Sequence, residues 1–304
     1  MKKVNHVLMT ADTVSGVWNY AMELSRILSK FDIKVSVATL GSRVSPSQRA
    51  EAKAIPNLDL YESSFKLEWI CYEDEVRDGL RHASTVVAPT EAMLSEINRI
   101  YGEIPGSRVI YNARSEEQFK PSAKEPFILT VGRLWDEAKN ISALEAIAGE
   151  VDWPIYAAGE PHREVNECTH ENVIGLEKLS TEEMAGWMGR ASIYALPARY
   201  EPFGLSALEA ALSGCALVLG DIPSLREVWA DNALYVDPKN HESLRNTLNS
   251  LIANPVEIEQ LGNKARQRAK LFDPHRMGCD YLELYETLVE GCQSLPLQSR
   301  ITFH

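Results

Sequence analysis

The sequence has few features of a metal-binding, disulfide-bonded or membrane-spanning protein. Its five cysteines are scattered, with no Cys-x-x-Cys pair and no histidine at metal-ligand spacing, which argues against a zinc site and a disulfide framework. No window approaches the roughly 18 apolar residues of a membrane span, and the apolar run at residues 7–9 is too short for a signal peptide. We therefore expect a cytoplasmic protein without a transmembrane segment.

The chain also lacks the excess of positive charge that is typical of nucleic-acid-binding proteins. Its net charge is −12, and almost all of it comes from residues 121–304, which contain 27 acidic and 16 basic residues. An acidic surface repels phosphate backbones and anionic lipids at long range. We expect no nucleic-acid partner, and isolated cations in this acidic half, such as Arg133 and Lys139, become candidate ligands for a bound anion.

The pattern of apolar segments predicts a two-domain α/β protein. A chain of 304 residues exceeds what one hydrophobic core usually organises. Its second half alternates short apolar runs with helical segments, as in a parallel sheet covered on both faces. Ligands bind such sheets beyond the carboxyl ends of the strands, where Gly132, Glu160 and Glu201 fall. The expected strands are residues 127–131, 155–158, 172–174, 192–196, 216–219 and 234–236.

Two carboxylates bracket the run Glu-Pro-Phe-Gly-Leu-Ser-Ala-Leu-Glu, which extends from Glu201 to Glu209. Pro202 and Gly204 keep the first part out of regular structure, whereas the residues from Leu205 onward favour a helix. We expect the first glutamate on a loop and the second in a helix whose free N–H groups can bind a diphosphate. Taken alone, the run also fits an amphipathic helix with solvated carboxylates.

This run and the segment after it resemble the donor-binding half of retaining GT-B glycosyltransferases of family 4, the glycosyl transferases group 1. A second match is Val131-Gly132-Arg133-Leu134 with Lys139-Asn140, which is similar to the strand end that holds the donor diphosphate in that family. The resemblance implies two Rossmann-like, doubly wound parallel sheets that face a cleft. It places a shortened acceptor-side domain at residues 1–118, a nucleotide-sugar-binding domain at 119–275, and a terminal segment at 276–304 whose helix returns to the first domain.

The resemblance also implies a role for each candidate residue. Arg133 and Lys139 stabilise the leaving diphosphate in place of a metal, Glu201 binds a hydroxyl of the donor sugar, and Glu209 accepts both ribose hydroxyls. No metal site and no cofactor are expected. The implied catalytic residues are Glu201, Arg133 and Lys139, and the implied donor-binding residues are Gly16, Gly132, Val173, Ile174, Phe203, Gly204, Leu205 and Glu209.

Three of these assignments concern backbone contacts. N–H groups around Phe203 to Leu205 are expected to meet the distal phosphate. The nucleobase is expected against the segment that begins Val173-Ile174, although an ordinary buried strand end fits that segment equally well. The loop before the first helix, with Gly16, corresponds to a family loop that faces the donor phosphates, but Ser15 stands where the family usually has a glycine.

The N-terminal half departs from the family because two strand-and-helix units are missing. One helical stretch, about residues 65–82, is followed by residues 85–88 and 109–111, which resemble the last two strands of the acceptor domain. We expect a contracted five-strand sheet in which residues 85–88 lie beside residues 4–9. The side chains of Trp69, Ile70 and Tyr72 then cover the shortened edge or offer a surface to a protein partner.

Two functions follow from these features. The first is a metal-independent retaining glycosyltransferase that moves a hexose from a UDP- or GDP-sugar to an acceptor whose class the sequence leaves open. The alternative is a catalytically impaired nucleotide-sugar-binding or scaffold protein that has lost its acceptor wall. The site residues in the second half support donor binding under both hypotheses.

Overall fold

The computed structural model describes residues 4–12, 15–40, 43–62, 72–159, 173–176 and 179–293. Trp69, Ile70, Glu160 and His162, and the side chain of Tyr72, lie outside the described part. None of the helices described is both long and apolar enough to cross a membrane.

The chain divides into two compact units. Unit 1 comprises residues 1–88, 97–113 and 274–304, and unit 2 comprises residues 89–96 and 114–273. Residues 89–96 and 114–118, which the sequence analysis assigns to the N-terminal domain, therefore belong to unit 2.

Helices and strands alternate along most of the chain. As far as residue 109 the elements are β1 (His6–Asp12), α1 (Ser15–Lys30), β2 (Lys34–Leu40), α2 (Pro46–Lys53), β3 (Leu58–Glu62), α3 (Tyr72–His82), β4 (Val87–Ala88), α4 (Glu91–Tyr101) and β5 (Arg108–Val109). They continue with β6 (Glu125–Val131), α5 (Ile141–Ile147), β7 (Ile155–Ala158), β8 (Val173–Leu176), α6 (Thr181–Arg190), β9 (Ala191–Leu196), α7 (Leu205–Leu212), β10 (Ala216–Gly220), α8 (Pro223–Trp229), β11 (Leu234–Val236), α9 (His241–Ile252), α10 (Pro255–Ala269) and α11 (Pro274–Gln293).

Unit 1 contains two small parallel sheets rather than one sheet of five strands. β1, β2 and β3 form one sheet in that order, and β4 pairs only with β5 in the residues described. The prediction that residues 85–88 lie beside residues 4–9 in one ladder is therefore wrong. It assumed that free ladder groups of β1 would be buried, but Leu8 of β1 is 72% exposed, so water can satisfy backbone groups at this edge.

The core of unit 1 lies between α1, α11 and the inner face of the first sheet. Met277, Tyr281 and Leu284 form a buried stripe on α11 that packs with the buried face of α1. The two helices come very close at Gly278, where an added Cβ would lie 1.9 Å from Cγ2 of Ile27. The apolar stripe of the last helix thus belongs to the packing of unit 1.

Unit 2 is built on a six-stranded parallel sheet with the order β11-β10-β9-β6-β7-β8. The chain starts in the middle at β6, moves outward to β8, and returns to β9 before it moves outward to β11 on the other side. All residues of β9 and β10 are buried, because helices cover both faces. The six strands predicted from the sequence all form, with ends within two residues of the predicted ones.

Candidate functional site

Most of the predicted site residues lie in unit 2, where β6 and β9 are neighbours. The chain leaves these two strands in opposite directions along the sheet, so the loops at their carboxyl ends diverge and leave a crevice for a ligand. Gly132, Arg133 and Lys139 follow β6, and Glu201 follows β9. The topology therefore brings together residues that are about 60 positions apart in the sequence.

Asp136 organises the loop that follows β6. Its carboxylate accepts a hydrogen bond from Nη2 of Arg133 at 2.5 Å and one from the backbone N–H of Ala138 at 3.0 Å. The guanidinium of Arg133 also lies over the ring of Trp135, 5.3 Å from its centroid. The Arg133 side chain is still 42% exposed, so it is held in place and remains accessible to an anion.

The ammonium of Lys139 forms an ion pair with Oε2 of Glu201. The lysine side chain runs along Gly132, where an added Cβ would lie 3.3 Å from Cγ of Lys139. The two loops are also joined through the backbone, since the carbonyl of Ala138 accepts a 2.9 Å hydrogen bond from the N–H of Arg199. The structure therefore brings two predicted catalytic residues, Lys139 and Glu201, into direct contact.

Glu201 is folded back onto its own loop and is only 8% exposed. Its Oε1 accepts hydrogen bonds from the backbone N–H groups of Gly204 at 3.0 Å and Phe203 at 3.5 Å. Its backbone carbonyl accepts from the hydroxyl of Ser224 at 2.5 Å. The N–H groups of Phe203 and Gly204, predicted to meet a phosphate, therefore bind the Glu201 carboxylate in this structure.

The start of α7 has a fixed geometry. Gly204 precedes the helix with φ of 89°, a left-handed conformation that favours glycine, and Leu205 is the first helical residue. An added Cβ at Gly204 would lie 3.2 Å from Cδ2 of Leu225. Phe203 is buried and packs edge-on against Phe272, with ring centroids 5.5 Å apart. These contacts hold the helix start in place.

Glu209 lies on α7 and is 6% exposed. Its Oε1 accepts a hydrogen bond from Nε of Arg114 at 2.6 Å, and Nη2 of the same guanidinium forms an ion pair with this oxygen at 2.5 Å. Its other oxygen, Oε2, makes no hydrogen bond within the described part of the chain. Arg114 was not predicted from the sequence, where a lone arginine in the short segment before β6 is a weak signal.

Tyr194 of β9 lies near both carboxylates. Its buried hydroxyl donates to Oγ of Ser206 at 2.7 Å. Burial raises the pKa of this hydroxyl, and the negative charges of Glu201 and Glu209 raise the pKa further. The phenol therefore stays protonated and acts as a neutral donor to Ser206.

The remaining predicted residues lie elsewhere. Gly16 is in unit 1, as the second residue of α1, and an added Cβ there would meet no atom within 4 Å. Val173 is buried and Ile174 is exposed in β8, the edge strand two places from β6. The hydrogen bonds of Lys139, Glu201 and Glu209 described above involve none of these three residues. The roles of all the predicted site residues stay predictions.

No group of three or more His, Cys, Asp or Glu side chains in the described ranges is arranged to hold a metal ion. The charged groups at the crevice consist instead of carboxylate–cation pairs. Such a site can bind a ligand that carries both hydroxyl groups and phosphates, since carboxylates accept from hydroxyls and the cations bind phosphate oxygens.

Residues 112–268, just over half of the chain, match the family model of the glycosyl transferases group 1. The chain belongs to this family. The resemblance in the sequence is thereby confirmed, and as a member of the family the protein is a glycosyltransferase. The matched region nearly coincides with the second segment of unit 2, residues 114–273.

Three curated relatives of this glycosyltransferase illustrate the extent of the similarity. The O-antigen chain mannosyltransferase RfbU of Salmonella typhimurium is 24% identical over 264 residues, which cover 81% of this chain and 73% of that protein. The MMP α-(1→4)-mannosyltransferase of Mycolicibacterium hassiacum is 31% identical over 36% of this chain, and a glycogen synthase of Mycobacterium tuberculosis is 29% identical over 62%. The chain spans 28% and 50% of the length of these last two relatives.

Solved structures show that the glycosyltransferase has the predicted GT-B fold. A sucrose-phosphate synthase from Thermosynechococcus elongatus superposes with a TM-score of 0.75 at 17% identity, over 95% of this chain and 100% of that one. HepE from Anabaena, in complex with UDP and glucose, superposes with a TM-score of 0.74 at 14% identity, over 97% of this chain and 100% of that one.

Proposed function

We propose that this protein is a retaining hexosyltransferase that takes its sugar from a UDP- or GDP-sugar and needs no metal ion. The observation that carries the proposal is the pairing of both motif carboxylates with cations, Glu201 with Lys139 and Glu209 with Arg114. Two relatives are mannosyltransferases and HepE was solved with UDP and glucose, which agrees with a hexose donor.

In this proposal Arg133 and Lys139 bind the diphosphate. As the bond between the anomeric carbon and the diphosphate oxygen breaks, negative charge develops on the leaving group and must be stabilised. Charged hydrogen bonds each contribute about 1.5–3 kcal/mol. Arg133 is accessible and already oriented by Asp136, so it can contact the phosphates without a large rearrangement.

Lys139 and Glu201 exchange partners when the donor binds. Before binding, each neutralises the other at the mouth of the crevice. A diphosphate carries more negative charge than one carboxylate, so it competes for the ammonium. Oε2 of Glu201 then becomes available to a sugar hydroxyl, while Oε1 stays held by the loop N–H groups of Phe203 and Gly204.

Glu209 binds the ribose in this proposal, through the oxygen that Arg114 leaves open. The base lies against Val173 and Ile174, whose strand edge offers backbone groups and an exposed apolar side chain. The acceptor hydroxyl then attacks the anomeric carbon from the face that the diphosphate leaves, and its proton passes to the departing diphosphate oxygen. Attack from this face retains the configuration of the donor.

The proposal is tested by isothermal titration with UDP, GDP and ADP in EDTA. We expect UDP or GDP to bind, and we expect Glu209→Ala to weaken that binding by about 1–3 kcal/mol because a hydrogen-bond acceptor is lost. The matched control is Glu259→Ala, which changes an exposed glutamate of α10 and should leave the affinity unchanged. Binding that requires a divalent cation, or no binding of any nucleotide, would contradict the proposal.

A further inference from the structure

We propose that Arg114 is a positioning residue of the donor site, which fixes the Glu209 carboxylate so that one of its oxygens is reserved for the ribose. The inference rests on the proposed function and deepens it. It assigns the recognition of ribose to Glu209 and Arg114 together. Only Glu209 belongs to the motif from Glu201 to Glu209.

Arg114 pairs with only one of the two carboxylate oxygens of Glu209. Nε of Arg114 donates to Oε1 of Glu209 at 2.6 Å, and Nη2 forms an ion pair with the same oxygen at 2.5 Å. Arginine and carboxylate more often meet through two parallel hydrogen bonds that use both oxygens. Because Arg114 uses only one, Oε2 keeps its lone pairs for hydroxyl groups of a ligand.

The open oxygen also reaches solvent. The buried polar atoms that lack a hydrogen bond in the described part of the chain do not include Oε2 of Glu209. Since this oxygen makes no hydrogen bond there, it must be accessible. A pair that served stability alone would have no reason to leave an accessible acceptor within an otherwise buried carboxylate.

Arg114 is itself held in place. Its backbone N–H donates to the carbonyl of Phe272 at 3.3 Å, and its guanidinium lies 5.6 Å from the ring centroid of Phe119. Both Arg114 and Phe119 are buried. The guanidinium therefore has little freedom to follow a displaced carboxylate, and it fixes the direction in which Oε2 points.

Because the Glu209 carboxylate is buried, it needs the nearby cation of Arg114. An ionised carboxylate that is taken out of water is strongly unfavourable unless a cation and hydrogen bonds compensate it. Arg114 supplies both to Glu209. Without the arginine, the carboxylate would turn toward water or toward another donor, and its alignment with a ribose would be lost.

The test is calorimetric titration of the full chain with UDP and with 2′,3′-dideoxy-UDP, or with GDP and its dideoxy analogue if the wild type binds GDP. The wild type should prefer the ribonucleotide by about tenfold or more, and Glu209→Gln should reduce that preference. Arg114→Met should reduce it to a similar extent and leave the affinity for the dideoxy analogue within about twofold of wild type. The matched control is Arg245→Met, at an ion pair on α9, which should keep the preference.

Arg114→Lys keeps the experiment decisive if Arg114→Met does not fold. A lysine retains the charge but lacks the planar guanidinium that meets Oε1 through two nitrogens, so we expect the preference to fall at least about threefold. If the Arg114 variants weaken the binding of the ribonucleotide and of its dideoxy analogue equally, Arg114 has only a structural role, and the inference is overturned. The inference is also overturned if Glu209→Gln removes the preference for the ribonucleotide while both Arg114 variants keep it. If the wild type shows no preference, the assignment of Glu209 to ribose in the proposed function fails as well.

Discussion

Arg133 and Lys139 are held differently before any donor binds. Arg133 is oriented by a residue of its own loop, Asp136, and its side chain is 42% exposed. Lys139 is paired with Glu201, 62 residues further along the chain. A donor can therefore add to the contacts of Arg133, whereas it must replace a contact of Lys139. The two cations should contribute differently to binding and to turnover.

We expect Arg133→Ala to weaken the binding of the nucleoside diphosphate by about 1.5–3 kcal/mol, since a charged hydrogen bond to phosphate is lost. Lys139→Ala should weaken binding less, because the wild-type lysine gives up its pair with Glu201 when it binds phosphate. Titration calorimetry with the preferred nucleotide measures both effects.

The control for Arg133→Ala and Lys139→Ala is Lys264→Ala, at an exposed position of α10. An unchanged affinity in Lys139→Ala together with a large loss in Arg133→Ala would mean that Lys139 does not reach the phosphates. An unchanged affinity in Arg133→Ala would exclude the proposed diphosphate site.

At the scale of helices and strands, the sequence predicted the strands of unit 2 well, whereas it predicted the wrong arrangement of strands in unit 1. The strands of unit 2 are continuous apolar runs, because helices cover both faces of the sheet, and such runs are visible in a sequence. β4 and β5 are two residues long, so their pairing leaves almost no pattern. No helix was predicted at residues 255–269, where α10 forms. Its cap is Asn254, whose side chain accepts from the N–H of Glu257 at 3.3 Å.

The partners of the site residues could not be predicted for a different reason. Glu201 and Glu209 are recognisable because they lie in one short run with a turn and a helix start. Arg114 is 95 residues from its partner Glu209, and no periodicity links residues that far apart. Only the assembled sheet brings such cations to the carboxylates, so the charge pairs had to come from the structure.

Two helical glycines should respond oppositely to alanine. Gly278 of α11 has no room for a Cβ, which would lie 1.9 Å from Cγ2 of Ile27. Overpacking of this kind costs about 1–3 kcal/mol and outweighs the roughly 1 kcal/mol that alanine contributes to a helix. Gly186 of α6 has open space around it, so its replacement should stabilise the protein by up to about 1 kcal/mol.

Urea unfolding of Gly278→Ala and Gly186→Ala measures the two effects, and each variant is the control for the other. We expect a lower midpoint for the first and a higher midpoint for the second. A higher midpoint for Gly278→Ala would contradict the close contact of α1 with α11.

At the scale of the whole molecule, the family match and the candidate site fall in the same part of the chain. The family model covers residues 112–268, and the charge pairs at Glu201 and Glu209 both lie within unit 2. Unit 1 has the rearranged strands and contributes only Gly16 to the predicted donor contacts. Donor chemistry should therefore depend on unit 2 residues, and it can be measured without knowledge of the acceptor.

The most direct test of the account is the release of free sugar from UDP-glucose and GDP-mannose by the full chain in EDTA, with water as the acceptor. We predict slow release from one of the two donors, and we predict that Arg133→Ala and Glu201→Gln each reduce the rate about tenfold or more. Release only after Mg²⁺ or Mn²⁺ is added would contradict metal independence. Binding of the donor without any release, with or without metal, would contradict the proposed transferase and favour a nucleotide-sugar-binding protein.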